Sequence, residues 1–553
     1  MPREGQRKPK HLPEAKPPAF GDLVATADPR AVTGNTHLKW PPDTFAICAY
    51  LLHQSGAYKD VLVEWPPVCG MFGKIKQPWS KWIARVGKAW RQTGAALSNP
   101  PKEVQAAWGQ VSKHLELPVQ PESQPKDDPA NRAELHCALI ALVAMADAAS
   151  AGVGLPSKKT RPDKDKYLWR AAVRLGRRGG SLASNVPPQL ARVLPKLHTP
   201  NVGITLRSLT HHLSMHVGND VVPVWREIPW GSDTETILNI LIAPWPTRVQ
   251  PSDFKPVNLS KAERKRGDYS RVNFERQSNP EDLAKWLSSR LEEAENVAGR
   301  VHGLVFPEAS LTPAEFDKLK EVVSSLDVFV VAGVAVPPKT ASGLAQNRVR
   351  LLVTRQGSRT VIDQGKHHRW KLTRSQVEMY GLAVSLHPHQ DWWENIEIPQ
   401  REVHFAAFNN GTTICCLICE DLARMDPVSS LVRSVGPNLL IALLMDGPQL
   451  SVRWPARYAT VLAEDPGCSV LTVSSLGMVD MVQPRKGQTK SRSIALWKDN
   501  GPGMIEIELP RDKDAALLTL YNETVEEFSA DGRSDGKVTD HPRLEAVHFL
   551  GKA

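Results

Sequence analysis

Thr413-Ile414-Cys415-Cys416-Leu417-Ile418 runs without a charge into Cys419, and Glu420, Asp421 and Leu422 follow. Side chains alternate between the two faces of a strand, so a run that is apolar on both faces predicts a strand covered on both sides. Outward from this stretch the pattern repeats. Ile237–Ile242, Leu304–Phe306, Val328–Val336, Val349–Val353, Leu439–Leu444, Ser469–Val473 and Ile494–Trp497 are further apolar runs of strand length. Helix signals lie between them: Asn279 and Pro280 precede Leu283, Trp286, Leu287 and Leu291 at helical spacing, and Thr312, Pro313 and Glu315 form a capping-box start. Apolar strands joined by amphipathic helices predict sheets covered by helices, an α/β domain.

The chain has 553 residues, of which 41% are hydrophobic and 23% charged, proportions that exclude a disordered chain and a membrane protein as the whole. Its net charge of +10 is unevenly placed. Residues 1–230 hold 31 basic and 18 acidic residues, and residues 231–553 hold 38 and 41. The predicted organisation is a disordered basic Pro-rich tail (1–34), a helical basic domain (35–116), a linker (117–132), a second helical segment (133–232), the α/β domain (233–530) and a C-terminal tail (531–553). Met1 to Phe20 lacks the apolar core of a secretory signal. Cys137 to Leu155, the longest apolar stretch, contains Asp147 and reads as a packed helix instead of a membrane span. Seven unevenly spread cysteines are too few for a disulfide scaffold and predict a reducing, cytoplasmic setting.

Three predicted strand ends carry reactive side chains: Glu308 after Leu304–Phe306, Lys366 after Thr360–Gln364, and Cys419 after Thr413–Ile418. Singly, each is an ordinary loop or core residue. Together they supply what acyl transfer needs: a base to turn a thiol into a thiolate, and a fixed positive charge beside the developing oxyanion.

With these residues in place, the sequence resembles the nitrilase, or carbon–nitrogen hydrolase, superfamily. The resemblance is carried by Leu304-Val305-Phe306-Pro307-Glu308-Ala309, by Asn347-Arg348-Val349 with Gly365-Lys366-His367-His368-Arg369-Trp370, and by Leu417-Ile418-Cys419-Glu420-Asp421-Leu422. Trp454-Pro455-Ala456-Arg457 and Val470 to Gly477 add to it. It covers about Thr236 to Leu518. It implies a four-layer α-β-β-α sandwich preceded by a mainly α-helical N-terminal region, with Glu308 as base, Cys419 as nucleophile, and Lys366 with the Glu420 backbone N–H as oxyanion donors. It further implies a small amide-like substrate, a thioester intermediate, no cofactor and assembly into homo-oligomers. Many members place a second glutamate soon after the lysine, and Glu378 is the nearest candidate. Lys371 competes with Lys366, and Cys415 and Cys416 with Cys419, although the Glu420-Asp421 pair favours Cys419. Thr373–Glu402, with its Trp392-Trp393 pair, reads as an insertion. A degenerate domain that binds or scaffolds without catalysing is the alternative. Nitrilase-like domains also resemble those joined to reverse transcriptases in bacterial antiviral proteins, which implies a defence role. No Tyr-x-Asp-Asp signature is present, so a polymerase would be a separate partner protein.

The remaining signals are weaker. Cys416 and Cys419 form a Cys-x-x-Cys with no second ligand pair, and His212 and His216 lie four apart with no third ligand, so no metal site is expected. Lys81, Arg85 and Lys88 on one predicted helix face, and Arg170, Arg174 and Arg177 on another, are interleaved with Trp79, Trp82, Trp90 and Trp169. Clustered cations with aromatics suit a nucleic acid or nucleotide.

Overall fold

The computed structural model describes residues 18–56, 77–119, 129–153, 170–171, 173–175, 179–200, 203–231, 236–257, 270–340, 343–483 and 489–551. The chain divides into a helical unit, Met1–Ala149 with Asn185–Pro187, and an α/β unit comprising the rest.

In the helical unit the stripe of Ile83, Val86 and Trp90 is buried on a helix spanning Trp79–Ala95, while Lys81, Arg85 and Lys88 face solvent. The central element is the helix Pro129–Ala149, buried nearly continuously from Leu135 to Asp147. Helices Pro41–Ser55, Trp79–Ala95 and Lys102–Lys113 pack around it. A Cβ on Gly87 would come within 2.5 Å of the Ala148 Cβ, so this glycine permits the close helix crossing. Two predicted boundaries change. Residues 20–33, assigned to the disordered tail, form helices Phe20–Ala27 and Pro29–Thr33, because Phe20, Val24 and Ala27 share a face that is buried. The start of the predicted second helical segment belongs with the 35–116 domain, since its helix is the one the others pack against. Among the described residues no helix is long and apolar enough to cross a membrane.

The α/β unit is built on two seven-stranded sheets. The first runs, in spatial order, Ser358–Gly365, Gln346–Arg355, Val328–Val336, Gly303–Leu311, Ile237–Ile242, Ala515–Glu526, Val538–Leu550. The second runs Met504–Glu508, Ser493–Lys498, Ser469–Ser474, Leu439–Leu444, Thr413–Ile418, Glu402–Phe408, Val222–Ile228. Their inner faces share one apolar core, in which Ile242, Val305, Phe329 and Val331 of the first sheet meet Ala406, Phe408, Ile414 and Ile441 of the second, the Phe329 and Phe408 rings lying 5.4 Å apart. The outer face of the first sheet is covered by helices Pro280–Ala298 and Pro313–Val322, and that of the second by Ser430–Val435 and Trp454–Glu464. The result is the expected α-β-β-α sandwich. The predicted capping box is present, with Thr312 N–H donating to Glu315 Oε2 at 2.8 Å and Glu315 N–H to Thr312 Oγ1 at 3.3 Å.

Two further expectations are corrected here. The segment 133–232, named as a second helical segment from its expected helices at 133–149 and 167–178, also contains strands Arg192–Pro195, Leu213–His216 and Val222–Ile228. Val222–Ile228 is an edge strand, the position in a sheet that tolerates its Pro223. Residues 531–553, read as a tail, supply the thirteen-residue strand Val538–Leu550, which pairs antiparallel with Ala515–Glu526 at the opposite extreme of the first sheet. Its alternation is broken by Pro542 and by charges on the exposed side, as a sheet edge allows.

Candidate active site

The two parallel strands Gly303–Leu311 and Thr413–Ile418 lie in different sheets and bring Glu308 and Cys419 to the same end of the sandwich. The first bends to do so. Its pairing with Val328–Val336 is interrupted between Phe306 and Leu311, Ala309 has φ 50°, and a Cβ on Gly333 would sit 2.1 Å from the Pro307 carbonyl oxygen. Only glycine at 333 leaves room for this bend. Cys419 has φ 45°, a conformation that costs a non-glycine residue on the order of 1–3 kcal/mol, and it stands where the strand turns into the short helix Glu420–Ala423. Its N–H is held by the Leu443 carbonyl at 2.8 Å.

Lys366 follows the strand Ser358–Gly365 and is completely buried. Its Nζ donates to Glu308 Oε1 and to Glu394 Oε2, both at 2.7 Å. Asn347 Nδ2 donates to Glu308 Oε1 and Glu394 Oε1, both at 2.8 Å, and Met445 N–H donates to Glu308 Oε2 at 2.7 Å. A buried ammonium is stable only when paired, and here two carboxylates share it. Burial opposes its charge, but Glu308 and Glu394 outweigh burial and hold its pKa above the ordinary lysine value. Burial, with the Glu308 charge adding to it, drives the Glu394 carboxyl up against the pull of Lys366.

The Cys419 thiol is pushed well above its usual pKa, first by burial and then by the Glu308 charge, while Lys366 opposes. The thiol thus stands near both the Glu308 carboxylate and the Lys366 ammonium. Cys419 lies in the wall of a cavity of about 280 Å³ together with Trp370, Trp393, Glu420, Asp446 and Trp454. Asp446 is fixed from several sides: Tyr380 Oη donates to its Oδ1 at 2.5 Å, an Arg453 guanidinium N–H to Oδ1 at 2.6 Å, and Trp454 Nε1 to Oδ2 at 3.0 Å.

The structure thus brings Glu308, Lys366 and Cys419 together and separates the competitors. Lys371 is half-exposed and pairs with Asp391 at 2.6 Å. Cys415 and Cys416 lie within the strand, buried on its two opposite faces. Glu378, the candidate second glutamate, is exposed on the helix Arg374–Met379 and pairs with Arg374 at 2.9 Å; the second glutamate in contact with Lys366 is Glu394. Glu394 escaped notice because Lys366 and Glu394 are separated by the 373–391 segment. It arrives on the short strand Trp392–Glu394, which pairs with Ser270–Phe274 in a four-stranded layer beside the site. The readable signal was period two: Trp392 and Glu394 share one face and are buried, while Trp393 points out. The Glu420 side chain pairs with Arg424, which leaves its backbone N–H, at the first turn of a helix, as the contribution to weigh. Asp421 accepts from the His367 N–H at 3.1 Å and contacts His368 Nδ1 at 2.9 Å, tying the lysine segment to the nucleophile turn.

At the N-terminal region the aromatic half of the expected nucleic-acid face is overturned. Trp79, Trp82 and Trp90 are 8%, 6% and 0% exposed, packed into the helical core where no base can stack on them. Arg85 pairs with Glu103 at 3.1 Å. Arg170 and Arg174 are half-buried, and Arg177 and Trp169 lie outside the described residues. The charge is also relocated. Residues 1–149 hold 18 basic and 14 acidic residues, whereas 150–184 hold 9 and 2.

No protein-family model matches the sequence, and no curated protein is similar to it at a significant level. Among solved structures the chain is similar to Nit3 of Saccharomyces cerevisiae, a nitrilase-superfamily member, at 11% identity over 53% of this chain and 93% of that one, with a TM-score of 0.34. An amidase from Nesterenkonia sp. matches at 11% identity over 50% and 91%, with a TM-score of 0.29. XC1258 of Xanthomonas campestris, a CN-hydrolase superfamily protein with an arsenic adduct in its active site, matches at 13% over 52% and 91%, with a TM-score of 0.30. Each of these likenesses covers about half of this chain.

Proposed function

We propose that this chain is a carbon–nitrogen hydrolase that cleaves a small amide through a thioester on Cys419. The observation that carries this reading is the wholly buried Lys366, held at 2.7 Å by both Glu308 and Glu394 beside a cysteine of positive φ. Glu308 takes the Cys419 proton as the sulfur attacks the carbonyl carbon. Two protons of the Lys366 ammonium are engaged by carboxylates. The third is left for the oxyanion, with the Glu420 N–H as second donor. Glu308 returns its proton to the departing amine, and then draws one from the water that splits the thioester. Glu394 keeps Lys366 charged and fixed, and Asn347 holds the two carboxylates in register. The cavity of about 280 Å³ suits a small molecule.

A cysteine-directed electrophile carrying an amide-like group tests this. Labelling at Cys419 that is lost in Glu308→Gln supports the hydrolase. Labelling that ignores Glu308, or an inert Cys419 in folded protein, would assign the fold to a scaffold instead. Metabolite profiling of cells expressing wild type against Cys419→Ala would then identify the substrate. A defence role rests on the sequence resemblance, and phage challenge of the same two strains tests it.

A further inference from the structure

Away from Cys419, a second group of ionisable side chains converges inside the α/β unit. His198 follows the strand Arg192–Pro195, Glu527 follows Ala515–Glu526, and His541 lies in Val538–Leu550. They are 1%, 8% and 6% exposed, and one ligand atom from each lies within 4.8 Å of the others. His198 Nδ1 is 2.9 Å from Glu527 Oε1, and His541 Nε2 is 3.9 Å from the same oxygen, too far for a hydrogen bond. Donors bound to one tetrahedral zinc ion at about 2.0–2.2 Å stand about 3.4 Å apart, between these two spacings. The other carboxylate oxygen is already fixed, with Thr199 N–H donating to Oε2 at 2.6 Å. An outer partner of this kind orients a metal-binding carboxylate.

We propose that His198, Glu527 and His541 form a zinc site of two imidazoles and one carboxylate, which pins residues 196–200 to the last two strands of the first sheet. The surroundings indicate a clasp with no part in turnover. Asn438 Nδ2 donates to the Asp540 carbonyl and Ser469 Oγ to the Pro542 carbonyl, both at 2.6 Å. Asn438 and Ser469 stand at the N-terminal ends of parallel strands, whereas Cys419 and Met445 stand at the C-terminal ends. The site therefore lies at the opposite end of the sandwich from the thiol. Around it Thr539 Oγ1 donates to the Leu197 carbonyl at 3.1 Å and Lys537 Nζ to the Lys196 carbonyl at 2.9 Å, so the metal would complete an existing lacing of the two segments.

A neighbouring group supplies the control. His212 Nε2 sits 3.0 Å from Asp535, an ordinary ion-pair distance, and that carboxylate is exposed. Full-length protein stripped with a chelator and titrated with zinc against a chromophoric competitor should bind one tight equivalent and melt at a higher temperature with it. Glu527→Gln and His541→Asn should each lose that equivalent, and His212→Asn should keep it. Unchanged zinc binding in folded Glu527→Gln or His541→Asn, loss in His212→Asn alone, or no binding by wild type would overturn the site. If the first two variants fail to fold, cobalt(II) in wild type decides: a tetrahedral visible band displaced by zinc supports the site, and its absence overturns it.

Discussion

The helical unit and the α/β unit bury different kinds of side chain. The helical core holds tryptophans, and Trp90, wholly buried, donates its Nε1–H to the Leu38 carbonyl at 2.9 Å. The α/β unit instead buries Glu308, Lys366, Glu394 and Cys419 within one strand-end cluster. Burying charge is costly unless every partner is present. The helical unit also buries ionisable groups, Asp28, His37, Asp43, His136 and Asp147 among them, but no buried lysine stands among its described residues.

Breaking that cluster should give the largest effect. Lys366→Ala removes the shared cation and leaves two carboxylates buried together, so stability should fall by about 3–5 kcal/mol in denaturant unfolding. The missing oxyanion donor should cost roughly a further 100–1000-fold in turnover. The two effects separate in Glu308→Gln/Lys366→Met/Glu394→Gln, where neutral groups of similar shape replace the charges. Stability should largely return and turnover should not. A triple variant as unstable as Lys366→Ala would mean that packing, not charge, makes this cluster fragile.

In the helical unit the corresponding break is Trp90→Ala, expected to cost about 3–5 kcal/mol by leaving a cavity. Electrophile labelling of Cys419 should keep its wild-type rate, and a matching loss would show that the two interiors are not separate. A finer probe is His37, 0% exposed, whose ring lies 4.1 Å from that of Trp108 and whose two nitrogens have no hydrogen-bond partner among the described residues. Burial, opposed by the Asp28 charge, lowers its pKa to about 4. A depressed folded pKa contributes stability that is whole above pH 6.5 and is lost as pH falls towards 4, here about 3 kcal/mol at most. His37→Leu should flatten the decline of thermal stability between pH 6.5 and 4. An unchanged slope would assign the acid sensitivity to the other depressed histidines, His216, His367, His404 and His541.

Much of the α/β unit was legible because its strands are apolar on both faces. Ile237–Ile242, Val328–Val336, Thr413–Ile418 and Leu439–Leu444 fall on the predicted residues. Edge strands carry weaker signals, since one side of each needs no partner. Hence Val222–Ile228, with its proline, and Val538–Leu550, with its charges, read as irregular or tail. Glu308 and Cys419 stood out in the sequence because each ends an apolar run, whereas Lys366 follows the mixed segment Thr360–Gln364 and was singled out by its place at a strand end. Glu394 was not, because a three-residue strand has too few positions to declare a period, and its distance from Lys366 in sequence is set by an intervening segment. The His198, Glu527 and His541 cluster was invisible for a related reason: 329 positions separate the first two, and no spacing rule spans such a distance.

Surface charge offers the smallest effect and the last contrast between regions. Arg85 and Glu103 are 54% and 34% exposed, and such a pair contributes about 0–1 kcal/mol, so Arg85→Ala should leave the melting temperature nearly unchanged. The same reasoning applies to Lys81 and Lys88. If an anionic polymer is a partner, the basic surplus of residues 150–184 should dominate its binding, because the helical unit is nearly balanced. Anisotropy of a labelled oligonucleotide against salt gives the comparison. Replacing Lys158, Lys159, Arg161, Lys164 and Lys166 by alanine should flatten the salt dependence, by about 0.9 in logarithmic slope for each duplex phosphate no longer neutralised. Lys81→Ala/Arg85→Ala/Lys88→Ala should change it far less. Equal losses would return the anionic partner to the helix Trp79–Ala95, and no binding by wild type at low salt would leave the charge with a role in solubility alone.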